Sequence, residues 1–304
     1  MIKRFFKAIG LIFVFGISLG SLYLVNLFFM KPISIDHYLG KEVILGLLDS
    51  PESMTYMGVF DEYNWITKHN SSLSIPKHED LKEGINDAKK SLDILTSYKD
   101  SSLTNNQKIT KRIAMFDIEN GLRRSEFFPY HDYPLNQVRG IHHSIISFMS
   151  DMHPVRNHDE AKDFIKRTDL AKDVYAGVLD GLQRQAAAGI FAPEFVYAHV
   201  IEQLNEMINY SFDEHPLYTQ FMKKAELLEI SEEELASLES QLILSIENSV
   251  TPGFTLLRDF MVSTEASANP HHGIWSQPNG DEFYKLRIRT YTTTDYSPQK
   301  IHDM

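Results

Sequence analysis

Asn157-His-Asp-Glu-Ala-Lys-Asp-Phe-Ile-Lys-Arg-Thr-Asp-Leu-Ala-Lys-Asp-Val-Tyr-Ala-Gly-Val-Leu-Asp-Gly-Leu182 sets the fold class, because its apolar residues recur at helical spacing. Phe164, Ala171, Val174, Val178 and Leu182 return to one side of a 3.6-residue period. Asn157 stands ahead of them as a cap with Glu160 three residues on, a pattern that satisfies the unpaired N–H groups of a helix start. Gly189 marks the end, since glycine enters the left-handed conformation without a side-chain clash. The spacing predicts one long helix, the longest in the chain.

The same signals continue outward. Pro193 opens a helix with Phe195, Val196, Val200, Leu204 and Met207 on one face. Ser231-Glu-Glu-Glu234 reads as a capping box ahead of Leu235, Leu238, Leu242 and Ile246, and Thr251-Pro252 starts a further helix through Met261. Upstream, Val138 to Met152 is helical until Pro154, while Phe127 to Pro134, with two prolines and four aromatics, breaks the pattern. Thr104-Asn-Asn-Gln107 is a capping box followed by a face of Ile109, Ile113 and Phe116. Leu81, Ile85, Ala88, Leu92 and Leu95 mark another amphipathic helix. Pro51 to Asp80 has no sustained period and is expected as loop; a short linker before it runs into a helix around His37 to Leu48. No repeat of fixed period is visible. The fold class is mainly α, a multi-helix array.

Composition sets limits. The 304 residues can bury one sizeable core or two modest ones. Hydrophobic residues make up 43% and charged residues 23%, ordinary for a folded soluble body. Lys3, Arg4, Lys7 and Lys31 are the only charges before residue 32, so a net charge of −11 leaves −15 on the remainder. An acidic body argues against nucleic acid as partner, because phosphates need a basic face. Without cysteine, no disulfide, thiolate metal site, cysteine nucleophile or cysteine-linked lipid is available.

Ala8 to Met30 is a 23-residue run without a charge, about 35 Å long as a helix against about 30 Å of hydrocarbon. The basic cluster before it places that end in the cytoplasm and the body in the periplasm. The expected organisation is a signal anchor over residues 1–31, inserted in the inner membrane through residues 8–30, and a helical domain over 32–304. The alternative is a signal peptide cleaved near Ser18-Leu-Gly20, with the body secreted to the periplasm; Leu22 to Met30 stays apolar beyond that point, which favours the anchor.

Motifs for chemistry are sparse. None of the thirteen histidines begins His-Glu-x-x-His. His142 and His143 are adjacent, so on a helix they point about 100° apart and cannot share a metal from one face. His153 and His158 flank Pro154, and all four read best as exposed or hydrogen-bonded histidines near loops. Gly-x-Ser-x-Gly, Ser-x-x-Lys, phosphate-loop and dinucleotide patterns do not occur. Asp281-Glu282 and Glu232 to Glu234 fit first-turn charges that complement helix dipoles.

The last residues are the most specific. Ser297-Pro298 is a helix start, yet only six residues follow, too few for a stable lone helix. The expectation is a chain that stops within a larger fold. Gly273-Ile-Trp-Ser-Gln-Pro-Asn-Gly-Asp-Glu-Phe-Tyr284 and Tyr291-Thr-Thr-Thr-Asp-Tyr-Ser-Pro-Gln-Lys-Ile-His302 resemble the signature of the bacterial domain of unknown function 885 family. Ser50-Pro-Glu-Ser-Met-Thr-Tyr-Met-Gly58, Phe128-Pro-Tyr-His-Asp-Tyr-Pro-Leu-Asn-Gln-Val-Arg-Gly140 and Gly189-Ile-Phe-Ala-Pro193 resemble its earlier segments, in order. The resemblance implies a helical protein about twice this length, similar to zinc metallopeptidases, with a His-Glu-x-x-His motif in a later half absent here. This chain would then be the N-terminal half, inactive alone, with zinc expected only when the other half is present. A non-catalytic binding module at the membrane is the alternative. The helical family also favours a helix over 281–291, where Leu286, Ile288 and Thr290 alternate as a strand would.

Pro278-Asn279-Gly280 is a turn, in which Asn and Gly tolerate positive φ. Trp275 and Tyr284 either pack beneath it or touch a ligand. Tyr284, Arg287, Arg289 and the hydroxyls of Thr292 to Thr294 suit a cleft for a peptide carboxylate, which a guanidinium matches bidentately; the competing reading of the two arginines is a solvated face. The candidate substrate-binding residues are Trp275, Tyr284, Arg287, Arg289, Thr293 and His302; no catalytic or metal ligand is assigned. Gln299 and Lys300 stand where relatives have two glutamates, which removes half of the last capping box. An apolar surface where the other half docks is also expected.

Overall fold

The computed structural model describes residues 2–304, with side chains from Gly10 onward. Fifteen α-helices are found there: α1 Ile2–Phe29, α2 Ile35–Leu48, α3 Pro51–Met57, α4 Asn64–Thr67, α5 His78–Ser97, α6 Asn105–Phe127, α7 Ile141–Ser147, α8 His158–Asp169, α9 Ala171–Ala187, α10 Glu194–Asn209, α11 Pro216–Ala225, α12 Glu232–Ser245, α13 Thr251–Thr264, α14 Gly280–Thr292 and α15 Pro298–His302. Among the described residues, extended pairing is limited to one bridge between Pro193 and Asn269. The mainly helical expectation holds, and 281–291 is helical.

Gly10–Phe29 within α1 is long and apolar enough to cross a membrane, and none of it is buried. The chain divides into two compact units: residues up to Leu47 with Asp87–Glu119, and Leu48–Asn86 with Asn120–Met304. In the first, Ile35 and Tyr38 of α2 meet Leu95 and Tyr98 in a small core. The Tyr98 hydroxyl donates to the Pro32 carbonyl (2.6 Å), and Lys31 caps the Ser97 carbonyl (2.9 Å). The expected face of α6 is corrected: Ile109 and Ile113 are exposed, whereas Ala114, Met115 and Ile118 pack against this core. The Thr104–Gln107 capping box forms as read.

The second unit holds the main core, built by α8 to α13 around Phe164, Tyr175, Phe221 and Phe254. Phe164 meets Phe221 and Tyr175 meets Phe254, each with ring centres 5.1 Å apart. Burial of each such ring contributes about 2–3 kcal/mol.

Four expectations change here. The long helix predicted from Asn157 divides at Leu170 into α8 and α9, although Asn157 caps Glu160 as read. At the junction, the Ser249 hydroxyl donates to the Asp169 carbonyl (2.6 Å) and accepts from the Lys172 N–H (3.0 Å). A side chain from another element therefore satisfies backbone groups that a continuous helix pairs internally.

Thr251-Pro252 opens α13 as read, but with no break before it. α12 runs through a π turn, Ile246–Val250, directly into α13. The Thr251 N–H reaches back to Ile246, widening the ladder just before a proline that cannot donate. His153 repeats this by bonding the Phe148 carbonyl (3.3 Å) after a π turn at Phe148–Met152 and before Pro154. The helix read from Val138 starts only at Ile141. The expected loop at 51–80 contains α3, α4 and short 3₁₀ turns.

The 51–80 segment is held by Arg167 of α8, which is fully buried. Its Nε donates to the Ser72 carbonyl (2.8 Å), Nη2 to the Thr55 hydroxyl (2.9 Å) and the His69 carbonyl, and Nη1 to His153 Nδ1 (3.1 Å). That last bond fixes His153 as the Nε2–H tautomer, donating to the Glu160 carbonyl (3.3 Å). Burial lowers the Arg167 pKa to about 10, so it stays charged at neutral pH.

Candidate functional site

Three of the quoted segments meet at the start of α14. Asn269 exchanges backbone hydrogen bonds with Ala192 and Glu194 at the end of the Gly189 to Pro193 turn, and its side chain donates to the Ser276 hydroxyl (2.8 Å). His131, in the middle segment, donates from Nε2 to the Pro278 carbonyl (2.7 Å). Gln185 of α9 holds the strand of chain around His131 by donating to the carbonyls of Tyr130 (2.6 Å) and Asp132 (2.7 Å). These bonds join pieces far apart in sequence without regular pairing.

Two glycines sit at close approaches, and at Gly280, where the neighbour is backbone, the glycine is required. A Cβ on Gly280 would lie 1.9 Å from the Ile274 carbonyl oxygen, and one on Gly273 would lie 2.1 Å from Nε1 of the Trp275 ring. Asn279 takes φ 55° at the N-cap of α14, as its tolerance of the left-handed region allows. Gly280 does not, so its role is space rather than backbone freedom.

The ring beneath the turn is Phe283, 2% exposed, set against Phe128 (5.4 Å) and His131 (4.9 Å). This corrects the packing expected of Trp275 and Tyr284, which are 61% and 47% exposed. Trp275 lies over Gly273 with its ring 5.1 Å from His271.

α14 stands between two open clefts. The larger, about 740 Å³, is bounded by Arg123, Phe127, Phe128, Glu282, Arg289 and Tyr296. The smaller, about 490 Å³, is bounded by His131, Phe283, Tyr284, Arg287, Ile288 and Tyr291. Successive helical residues diverge by about 100°, so Arg287 and Arg289 lie two positions and some 200° apart. Tyr284, Arg287 and Thr292 share the smaller cleft, whereas Arg289 faces the larger one.

Arg289 is engaged by Asp295 (2.9 Å) and by the Asn120 amide oxygen. Arg287 donates from Nη2 to the Tyr291 hydroxyl (2.7 Å) and stacks over the Tyr291 ring at 4.9 Å. Thr293 ends α14 with φ 54°, and His302 is exposed beside Asp303, so neither lines these clefts. Ser297 caps the Lys300 N–H (3.2 Å) while Lys300 lies over the Tyr296 ring, so only half of the capping box forms.

Arg124, Phe128 and His131 escape the sequence reading as site residues. The signal available was the Phe128 to Gly140 motif itself, but its contact with α14 is set by tertiary packing. Arg124 ion-pairs with Asp132, and its pKa is lowered first by burial and then by the nearby Arg287 guanidinium.

Among the described residues, no group of three or more His, Asp or Glu side chains is placed to hold a metal ion. His142 is fully buried against Gln203 (3.1 Å), and His153 is committed to Arg167. These histidines are hydrogen-bonded as expected, but they are buried rather than exposed. The residues present do not fit a zinc site.

A helical body that follows an apolar helix of membrane-spanning length and carries paired clefts on one surface helix defines a class: an all-α protein suited to membrane attachment or export. Within that class, the chain belongs to the family described as bacterial protein of unknown function (DUF885), which matches residues 51–304. A solved structure of a candidate lipoprotein from Colwellia psychrerythraea is similar at 19% identity and a TM-score of 0.71, covering 84% of this chain and 47% of that one. The chain thus spans about half the length of that structure, and the likeness establishes fold. No curated protein sequence matches.

Proposed function

We propose that this chain is the N-terminal half of a membrane-anchored, periplasmic protein of zinc-peptidase type, and that it supplies one wall and the lid of a peptide channel. In this reading α14 is the wall, and its two clefts are closed by residues that carry the metal and general base. The carrying observation is the pair of open clefts, rimmed by exposed aromatics at Phe127 (65%) and Tyr291 (73%). Exposed apolar surface of this kind is costly unless something packs on it. Coverage of about half the Colwellia structure and family membership over 51–304 support the same reading. The apolar helix preceded by Lys3, Arg4 and Lys7 supports anchoring in the inner membrane with the body outside it.

The purified chain is expected to be inactive on peptides. Hydrolysis by this chain alone that disappears with a chelator would overturn the proposal. Immunoblots of cell fractions after an alkaline wash test the anchor: a shortened, soluble product would show a cleaved signal instead. A second reading, a non-catalytic binding module at the membrane, is favoured by Arg287, which lines the smaller cleft and has no carboxylate partner among the described residues.

A further inference from the structure

We infer that the smaller cleft beside α14 binds a small organic monocarboxylate with an apolar body, which Arg287 holds by its guanidinium. The inference goes beyond the peptidase-type reading, because it requires no residue outside this chain.

Charge is the first argument. The Arg287 guanidinium lies close enough to Arg124 to disfavour the charge of Arg124, after the larger effect of burial. Asp132 pairs with Arg124. Among the described residues Arg287 has no carboxylate partner; its contacts are the Tyr291 hydroxyl and the rings of Tyr291 and Phe283. The local sum of Arg124, Asp132 and Arg287 is one positive charge beside an apolar concavity. An arginine has five N–H donors, and among the described residues one of those on Arg287 is used, by the Tyr291 hydroxyl. A carboxylate accepts two parallel N–H bonds in that geometry.

Preorganisation is the second argument. The guanidinium is oriented by the Tyr291 ring at 4.9 Å and by its hydroxyl at 2.7 Å, which lowers the side-chain freedom to be lost on binding. Phe283, Ile288 and Ile274 give the cleft its apolar wall, with Phe283 2% exposed, and the Asp132 carboxylate that also lines it is paired with Arg124. A volume of about 490 Å³ lies in the range of small-molecule sites. The apolar wall selects a ligand with an apolar body over a bare inorganic anion.

Isothermal titration of the full chain in detergent, with 3-phenylpropionate as probe, tests this. Saturable binding is expected at millimolar concentration, weakened at least about tenfold by Arg287→Met. Arg258→Met, on α13 and outside both clefts, should leave it unchanged. The uncharged 3-phenylpropanamide should bind at least about tenfold more weakly than the acid, and so should inorganic phosphate. Circular dichroism and melting of each variant separate lost binding from lost fold. If Arg287→Met does not fold, Tyr291→Phe, which releases the guanidinium, should still weaken the acid several-fold. Equal binding of the amide, tighter binding of phosphate, indifference to both variants, or no binding of the acid would each overturn the inference. Peptidase assays do not enter the result, so failure here is distinguishable from failure of the proposed function.

Discussion

Arg167 shows what a single buried side chain can demand of its surroundings. Its guanidinium satisfies the carbonyls of His69 and Ser72, the Thr55 hydroxyl and His153 Nδ1. Arg167→Met would fill the volume but strand those acceptors, at a cost of about 3 kcal/mol or more in urea unfolding. A loss under about 1 kcal/mol would show that water replaces the guanidinium. Gly280→Ala meets a backbone carbonyl that cannot step aside and should cost about 2 kcal/mol, whereas Gly181→Ala, in open space within α9, should stabilise by about 0.5–1 kcal/mol. Paired thermal melts check both, and equal effects would refute the close-approach argument. Gly280 and Asn279 were legible in the sequence as a turn, but the reason for the glycine was not. A close contact with Ile274 leaves no local pattern, and neither does the burial of a charged residue such as Arg167 amid helical spacing.

At the level of elements, capping signals proved readable and interruptions did not. Asn157 and Ser231 cap as their spacing indicates, because a cap is a contact within four residues. The break at Leu170 depends on Ser249, some eighty residues away, and apolar periodicity passes straight across it. Ser249→Ala should leave the Asp169 carbonyl and the Lys172 N–H unpaired, costing about 1–3 kcal/mol. Faster hydrogen exchange of the Lys172 amide is its specific signature; an unchanged exchange rate would refute the clamp. The two π turns were missed for a related reason. A proline following helical residues reads as a stop or a start, but here the preceding turn widens and the chain continues as α13, or leaves the helix at His153. Helix α11 was passed over because ten residues give too few periods to stand out.

For the whole molecule, burial of histidines sets the acid limit of stability. Burial holds His142 near 4, His153 near 3 with Arg167 adding to the effect, and His215 near 4, all below the usual 6.5. The unfolded chain takes up these protons at about 6.5 and the folded one only near 4 or below. Stability is therefore complete above about 6.5 and falls as pH drops towards 4, by about 1.4 kcal/mol per pH unit for each histidine. Urea midpoints across this window measure the slope. His215 Nδ1 accepts from the Leu217 N–H (3.2 Å), a capping role that asparagine can take. His69 is also held below its usual value, chiefly by burial, so His215→Asn should flatten the slope by about a quarter to a third, and an unchanged slope would remove His215 from the account.

The helical class, the apolar N-terminal helix, the caps and the family segments were set by the sequence alone, because each rests on contacts or periodicities within a few residues. The meeting of the Phe128, Gly189 and Gly273 segments, the separation of Arg287 from Arg289 by α14, and the buried placement of Arg167 were decided by tertiary structure. Those features depend on which distant backbone and side-chain groups satisfy one another once water is excluded, and neighbours in sequence carry no record of that choice.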